Sequence, residues 1–212
     1  MPPAPASAPT GTALSIAART NGVSVPDDHF RLAVYYQRIG NFEEALVHYK
    51  ALLQRDELNG EAHNNLGLLY RDKGLLPDAV REFQRAIAIN PRYVKAHNNL
   101  GVVYLSQRKL DAAMSEFREA LSLDARNVES FVNLALAEKE AGRRDEARAA
   151  LGRALELDPR GPEAHYNLAL IEDEAGNRVA AISHYRSFLQ YGAVGHADLM
   201  GEVRQRVEVL NR

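Results

Sequence analysis

Small and apolar residues recur along this chain at a fixed interval. A leucine row runs Leu32, Leu66, Leu100, Leu134 and Leu168, each 34 residues after the last. Two small-residue rows keep the same step: Ala33, Gly67, Gly101, Ala135 and Ala169, then Ala45, Ala79, Ala113, Ala147 and Ala181. Three rows at one period with no slip mark an internal repeat, and a period in this range belongs to solenoids and arrays. Within a unit the apolar positions take helical spacing, as in Leu66, Gly67 and Tyr70 and then Ala79, Phe83, Ala86 and Ile87. Each unit is predicted as two amphipathic helices, and five units span 26–195 as 26–59, 60–93, 94–127, 128–161 and 162–195.

The punctuation agrees with the period. Gly40, Gly74, Gly142 and Gly176 fall between the two helices of a unit, where a left-handed stop favours glycine. Arg108 holds that place in the third unit and is predicted to adopt a strained left-handed turn. Pro77 falls in the first turn of a second helix, and Pro91 and Pro159 follow second helices. Gly67 is expected to face Ala79 and Ala86, so that two backbones approach closely while Tyr70 and Phe83 fill the flanks. Leu52 and Phe188 replace the small residue seen as Ala86, Ala120 and Ala154, which suits terminal units with one neighbour only. Leu199, Val203, Val207 and Leu210 predict a closing amphipathic helix within 196–212. Residues 1–25, rich in proline and alanine, read as a flexible segment whose apolar run Ala13 to Ala18 is a candidate for docking on the first unit.

These residues resemble the tetratricopeptide repeat family. The unit from Gly60 to Tyr93 carries most of the family pattern in His63, Leu66, Gly67, Tyr70, Ala79, Phe83, Ala86 and Pro91. The resemblance implies an all-α, right-handed α-solenoid of five helix-turn-helix repeats plus a capping helix, with a concave groove for a protein ligand. The clamp that grips acidic chaperone C-termini is not implied, because Phe30 and Val34 occupy its first lysine and asparagine slots.

Composition narrows the function classes. With 26 basic and 28 acidic residues dispersed along 212, and a net charge of -2, the chain lacks the basic footprint of a nucleic-acid binder. It has no cysteine, which removes disulfides, thiol catalysis and thiolate metal sites. No apolar run approaches the ~18 residues of a spanning helix, and the first basic residue is Arg19, so no membrane insertion or secretory signal is expected and cytoplasm is the default location. Phosphate loops, nucleophile elbows, His-Glu-x-x-His and calcium loops are all missing, so the chain is expected to be no enzyme and to need no cofactor or metal.

Two further rows carry candidate chemistry. Asn65, Asn99, Asn133 and Asn167 recur at the 34-residue period, although asparagine is worse than alanine within a helix by several tenths of a kcal/mol. Each carboxamide offers a donor and an acceptor, matching a peptide backbone. The row resembles the asparagine ladder in the tetratricopeptide region of O-GlcNAc transferase, which implies a sequence-tolerant grip on an extended chain. Three positions on, Val34, Leu68, Val102, Leu136 and Leu170 form an apolar stripe on the same helix face. Both rows read as a peptide-binding groove with apolar anchors; asparagines bonded within their own helix pair and shielded leucines are the alternative. His29, His63, His97 and His165, with Phe131 completing the row, read as the family's bulky slot rather than a metal ladder, since packed helices ~8–10 Å apart hold adjacent imidazoles too far apart to share an ion.

Charge on the inferred groove face is uneven. Glu129, Glu140, Glu163, Asp173 and Glu174 face only Lys139 in the last two units, which predicts that a ligand with a basic stretch lies there; a solvated face of chance sign is the alternative. The sequence therefore predicts a scaffold or adaptor that binds an extended segment of a partner protein. The recognition region of a larger enzyme, or a subunit self-associating through its solenoid ends, are the rival readings.

Overall fold

A computed structural model describes residues 28–192 and 197–212, so the N-terminal segment and its apolar run lie outside the described residues. Five helix pairs follow one another: α1 (Asp28–Arg38) with α2 (Phe42–Arg55), α3 (Gly60–Asp72) with α4 (Leu76–Ile89), α5 (Val94–Ser106) with α6 (Leu110–Leu123), α7 (Val128–Glu140) with α8 (Arg144–Leu157), and α9 (Pro162–Glu174) with α10 (Arg178–Tyr191). A single helix, α11 (Ala197–Leu210), closes the chain. Among the described residues there is no strand. Each first helix packs on its own second helix, each second helix on the next first helix, and successive first helices of the five pairs also touch. Successive second helices do not touch among the described residues. Rows that meet on one side and spread on the other make an α-solenoid whose inner face is built from the first helices.

Local chemistry explains where the helices begin and end. Asn41, Asn59 and Asn127 cap α2, α3 and α7 by accepting from the N–H groups of Glu44, Ala62 and Ser130 at 3.3, 2.9 and 2.9 Å. Arg108 has φ 60, in the region where Gly40, Gly74, Gly142 and Gly176 lie at 74 to 77, as its place in the row predicts. The turn closes alike in both forms. Arg108 and Lys109 N–H donate to Leu105 and Tyr104 at 2.9 Å, as Gly74 and Leu75 do to Arg71 and Tyr70 at 2.8 and 2.9 Å.

The core corrects one packing expectation. A Cβ added to Gly67 falls 2.6 Å from the Phe83 ring, and one on Gly101 falls 2.5 Å from Phe117, so the glycines make room for a ring rather than for Ala79 and Ala86. Where the row carries Ala33, Ala135 or Ala169, the clustered partner on the second helix is Tyr49, Leu151 or Tyr185. Both tyrosines turn a hydroxyl back to the first helix, donating to Gln37 at 2.8 Å and to Asp173 at 3.0 Å. At the C-terminal end Val203 and Val207 of α11 are buried against Tyr185 and Phe188, with Leu199 and Leu210 packed beside them. Arg204, Gln205 and Glu208 leave the outer side of α11 largely polar, with Val209 half-exposed among them.

Candidate functional site

The asparagine row lies half-buried on the first helices, and its amides are already engaged. Asn99 Nδ2 donates to Asn64 Oδ1 at 2.9 Å, and Asn133 Nδ2 donates to Asn98 Oδ1 at 3.1 Å. These rungs join successive repeats, which differs from the expected alternative of bonds within one helix pair. The acceptors, Asn64 and Asn98, are buried and were not in the row read from sequence. Asn98 also accepts from Ser130 Oγ at 3.1 Å and donates to Glu129 at 2.9 Å, which satisfies the group inside the stack. The ladder stops where the acceptor position turns apolar. Asn167 finds Val132 at that position and donates instead to the Glu163 carbonyl of its own helix at 2.8 Å. Asn65 finds Phe30 there, and its Oδ1 accepts from Asn64 Nδ2 at 3.3 Å. Burial pushes the neighbouring Tyr49 phenol up to about 12, opposed in part by a hydrogen bond with Asn65.

The apolar row is partly covered. Val34, Leu68 and Val102 pack on the edges of the core clusters of their own repeats, and Leu136 is half-buried. Leu170 joins the cluster that includes Val203 and Val207, so α11 shares its surface. A concavity of about 260 Å³ opens on the first-helix side of repeats two to four. Asn65, Asn99 and Leu68 line it together with Asn64, Asn98, Lys95, Glu61 and Glu129. Asn133, Asn167 and the other apolar-row members do not line this concavity. A second hollow of about 370 Å³ at the C-terminal end is lined by Leu170, Tyr166, Asp173, Glu174, Glu202 and Arg206.

The acidic surplus expected in the last repeats is mostly matched by cations, Lys139 on the same face and three arginines that reach it from turns and neighbouring helices. Arg206 of α11 donates twice to Asp173 at 2.6 Å, which holds that carboxyl below its usual range. Lys139 and Arg144 reach Glu174 at 3.1 and 3.5 Å, and Arg108 reaches Glu140 at 3.0 Å. Between repeats, Arg148 donates to Glu172 at 2.5 Å, the main reason that carboxyl is lowered. Glu138 differs: burial raises it despite a 3.0 Å bond from Arg118, because its Oε2 is buried without a partner among the described residues.

The histidine row does more than fill a slot. His63 Nδ1 meets Glu82 at 2.6 Å and His97 Nδ1 meets Glu116 at 2.7 Å, while their Nε2 atoms meet the carbonyls of Glu57 and Pro91 at 3.1 and 3.0 Å. Each ring thus ties both helices of a repeat to the turn before them. In the first and fifth repeats the partner is histidine, His48 at 2.8 Å and His184 at 3.0 Å. Where the row carries Phe131, the residue nineteen later is Ala150, and ring and partner have become apolar together. That paired change was visible in the sequence at a spacing of nineteen and is the signal that finds these contacts.

A stack of helix pairs with a continuous first-helix face defines an α-solenoid repeat protein. Tetratricopeptide repeat models match residues 94–127 and 132–193, and a TPR repeat model matches 67–107. The chain belongs to the tetratricopeptide repeat family. Repeats of this family serve as protein-interaction scaffolds, and the described residues include no helix long and apolar enough to cross a membrane. No curated protein matches the sequence. Among solved structures, PilW, a widely conserved type IV pilus biogenesis factor, superposes with a TM-score of 0.76 at 23% identity over 86% of each chain. PilF of Pseudomonas aeruginosa gives 0.73 at 21% identity over 87% of this chain and 91% of its own. A thermophilic TPR protein of Thermus thermophilus gives 0.68 at 22% over 87% and 98%. At these identities the likeness is one of fold.

Proposed function

We propose that the chain is a non-catalytic scaffold whose first-helix face binds an extended segment of a partner protein. The observation that carries this reading is the concavity shared by Asn65, Leu68, Lys95 and Asn99, where amides, an apolar edge and a lysine without an ion pair among the described residues meet. An extended segment advancing ~3.3–3.6 Å per residue along helices spaced ~8–10 Å meets one repeat about every third residue. The rungs leave one N–H and the carbonyl oxygen of Asn99 and Asn133 for such a backbone, because each amide uses a single N–H on its neighbour. Selectivity for a basic stretch rests on less, since Asp173, Glu174 and Glu140 are already paired, and Glu129 accepts from Asn98.

The test is a displayed peptide library selected on the wild type and rebound to variants. Lys95→Glu and Asn65→Ala remove groove groups while leaving the Asn99 and Asn133 rungs in place. Asn65→Ala also gives up its bond with Tyr49 of the first repeat, so its melting temperature is measured alongside. The selected peptides should lose at least several-fold in affinity to each variant. Arg85→Glu, on the second-helix side, should bind as wild type does. Undiminished binding to both groove variants would refute the groove.

A further inference from the structure

Each end of a solenoid leaves one face without a neighbour. At the C-terminal end α11 covers it with Val203 and Val207. At the N-terminal end none of the described helices packs on the outward face of α1. Tyr35 is 56% exposed there, whereas Leu69, Val103, Ala137 and Ile171, its equivalents in the later repeats, are all exposed by 4% or less. Ile39, at 57%, extends the uncovered apolar stripe into the turn after α1.

The later repeats show what such a face receives. Leu69 shares a core cluster with Tyr49, Val103 with Phe83, Ala137 with Phe117 and Ile171 with Leu151, and in every pair the second-helix residue lies twenty positions earlier. Carried back from Tyr35, that spacing reaches Ser15. The 34-residue rows carried back place Gly11 with Ala45 and Ala79, and Ala18 with Ala86, Ala120 and Ala154. The bulkiest residue of the first-helix row therefore falls in register with the smallest residue twenty positions earlier, so that large and small are exchanged between the two rows.

We propose that residues 11–18 of the same chain cover the open end, with Ser15 against Tyr35. A second copy of the chain could also cover an apolar stripe. One face of α1, a helix of 11 residues, offers far less than the ~1,000 Å² a stable interface buries. A segment joined to α1 through residues 19–27 needs no such area, because its effective concentration is roughly millimolar.

The chain has no cysteine, so the pair Ser15→Cys with Tyr35→Cys can form one disulfide only. Under mild oxidation of the full chain it should close within the monomer, about tenfold or more faster than Ala13→Cys with Tyr35→Cys, whose first thiol sits in the row of exposed Val47, Arg81 and Ser115. Equal rates for the two pairs, or a disulfide-linked dimer, would overturn the proposal. Ala18→Glu, in the chain that keeps Tyr35, should raise amide exchange in α1 about tenfold and leave α5 unchanged. Unaltered exchange in α1 would overturn it equally.

Discussion

The third and fourth repeats and the fifth carry the same asparagine row but use it differently. Asn99 and Asn133 reach back to Asn64 and Asn98 and bind one repeat to the next. Asn167, facing Val132, bonds only its own helix. A repeated residue therefore has no fixed role; the residue 35 positions earlier decides whether it is a rung or a surface amide. The histidine slot teaches the same lesson, since Glu82 and Glu116 in the middle repeats give way to His48 and His184 at the ends.

The comparison is broken most severely at Asn98. Asn98→Ala strands Ser130, Asn133 and Glu129 around a buried position and should cost about 2–3 kcal/mol by denaturant unfolding. A loss below about 0.5 kcal/mol, the usual scale of a surface change, would show that the rungs do not hold the repeats together. Gly101→Ala sets its Cβ against the Phe117 ring, and the clash should exceed the better helix propensity of alanine, for a net cost of about 1–2 kcal/mol. Asn133→Ala should cost about 1 kcal/mol, whereas Asn167→Ala should leave the melting temperature level or slightly raised. Equal effects at the two positions would erase the distinction between rung and surface amide. Arg108→Gly should stabilise by about 1 kcal/mol, less whatever the exposed pair with Glu140 contributes. An unchanged or lower midpoint would contradict strain at that turn.

Acid should separate the regions as well. Hydrogen bonds from Arg148 and Arg206 lower the folded pKa of Glu172 and Asp173, so their stabilisation is complete above the ordinary carboxylate range near ~4 and is lost as pH falls through the folded values. His184 is lowered mainly by burial, with the His165 charge adding to it, so its contribution is complete above its ordinary pKa of ~6.5 and declines below that. All three act on the fifth repeat. Amide protection in α9 and α10 should therefore begin to fall below about pH 6.5 through His184, and fall further together with α11 below about pH 4 through Glu172 and Asp173, before that in α5 and α6. Uniform loosening along the chain would contradict this.

The helix pairs, the left-handed turn at Arg108 and the closing helix were legible because each rests on local periodicity or on a residue out of place in its row. Contacts between repeats were harder to read. Gln84 to Tyr104, Arg118 to Glu138 and the rungs at Asn64 and Asn98 join residues on different helices, and only their constant spacings of 20 and 35 betray them. Charge was misjudged for the same reason. Counting one face left out Arg108, Arg144 and Arg206, whose long side chains arrive from turns and neighbouring helices.

The groove is tested most directly by the side-chain amide signals of Asn65, Asn99, Asn133 and Asn167 in a nitrogen-15 correlation spectrum, titrated with a peptide selected on the wild type. Binding along the first helices should shift these signals together with backbone amides of α3, α5 and α7, most strongly at Asn65 and Asn99, which line the concavity. Shifts confined to α4, α6 and α8, with the four asparagine amides unmoved, would place the ligand on the opposite face and contradict the groove.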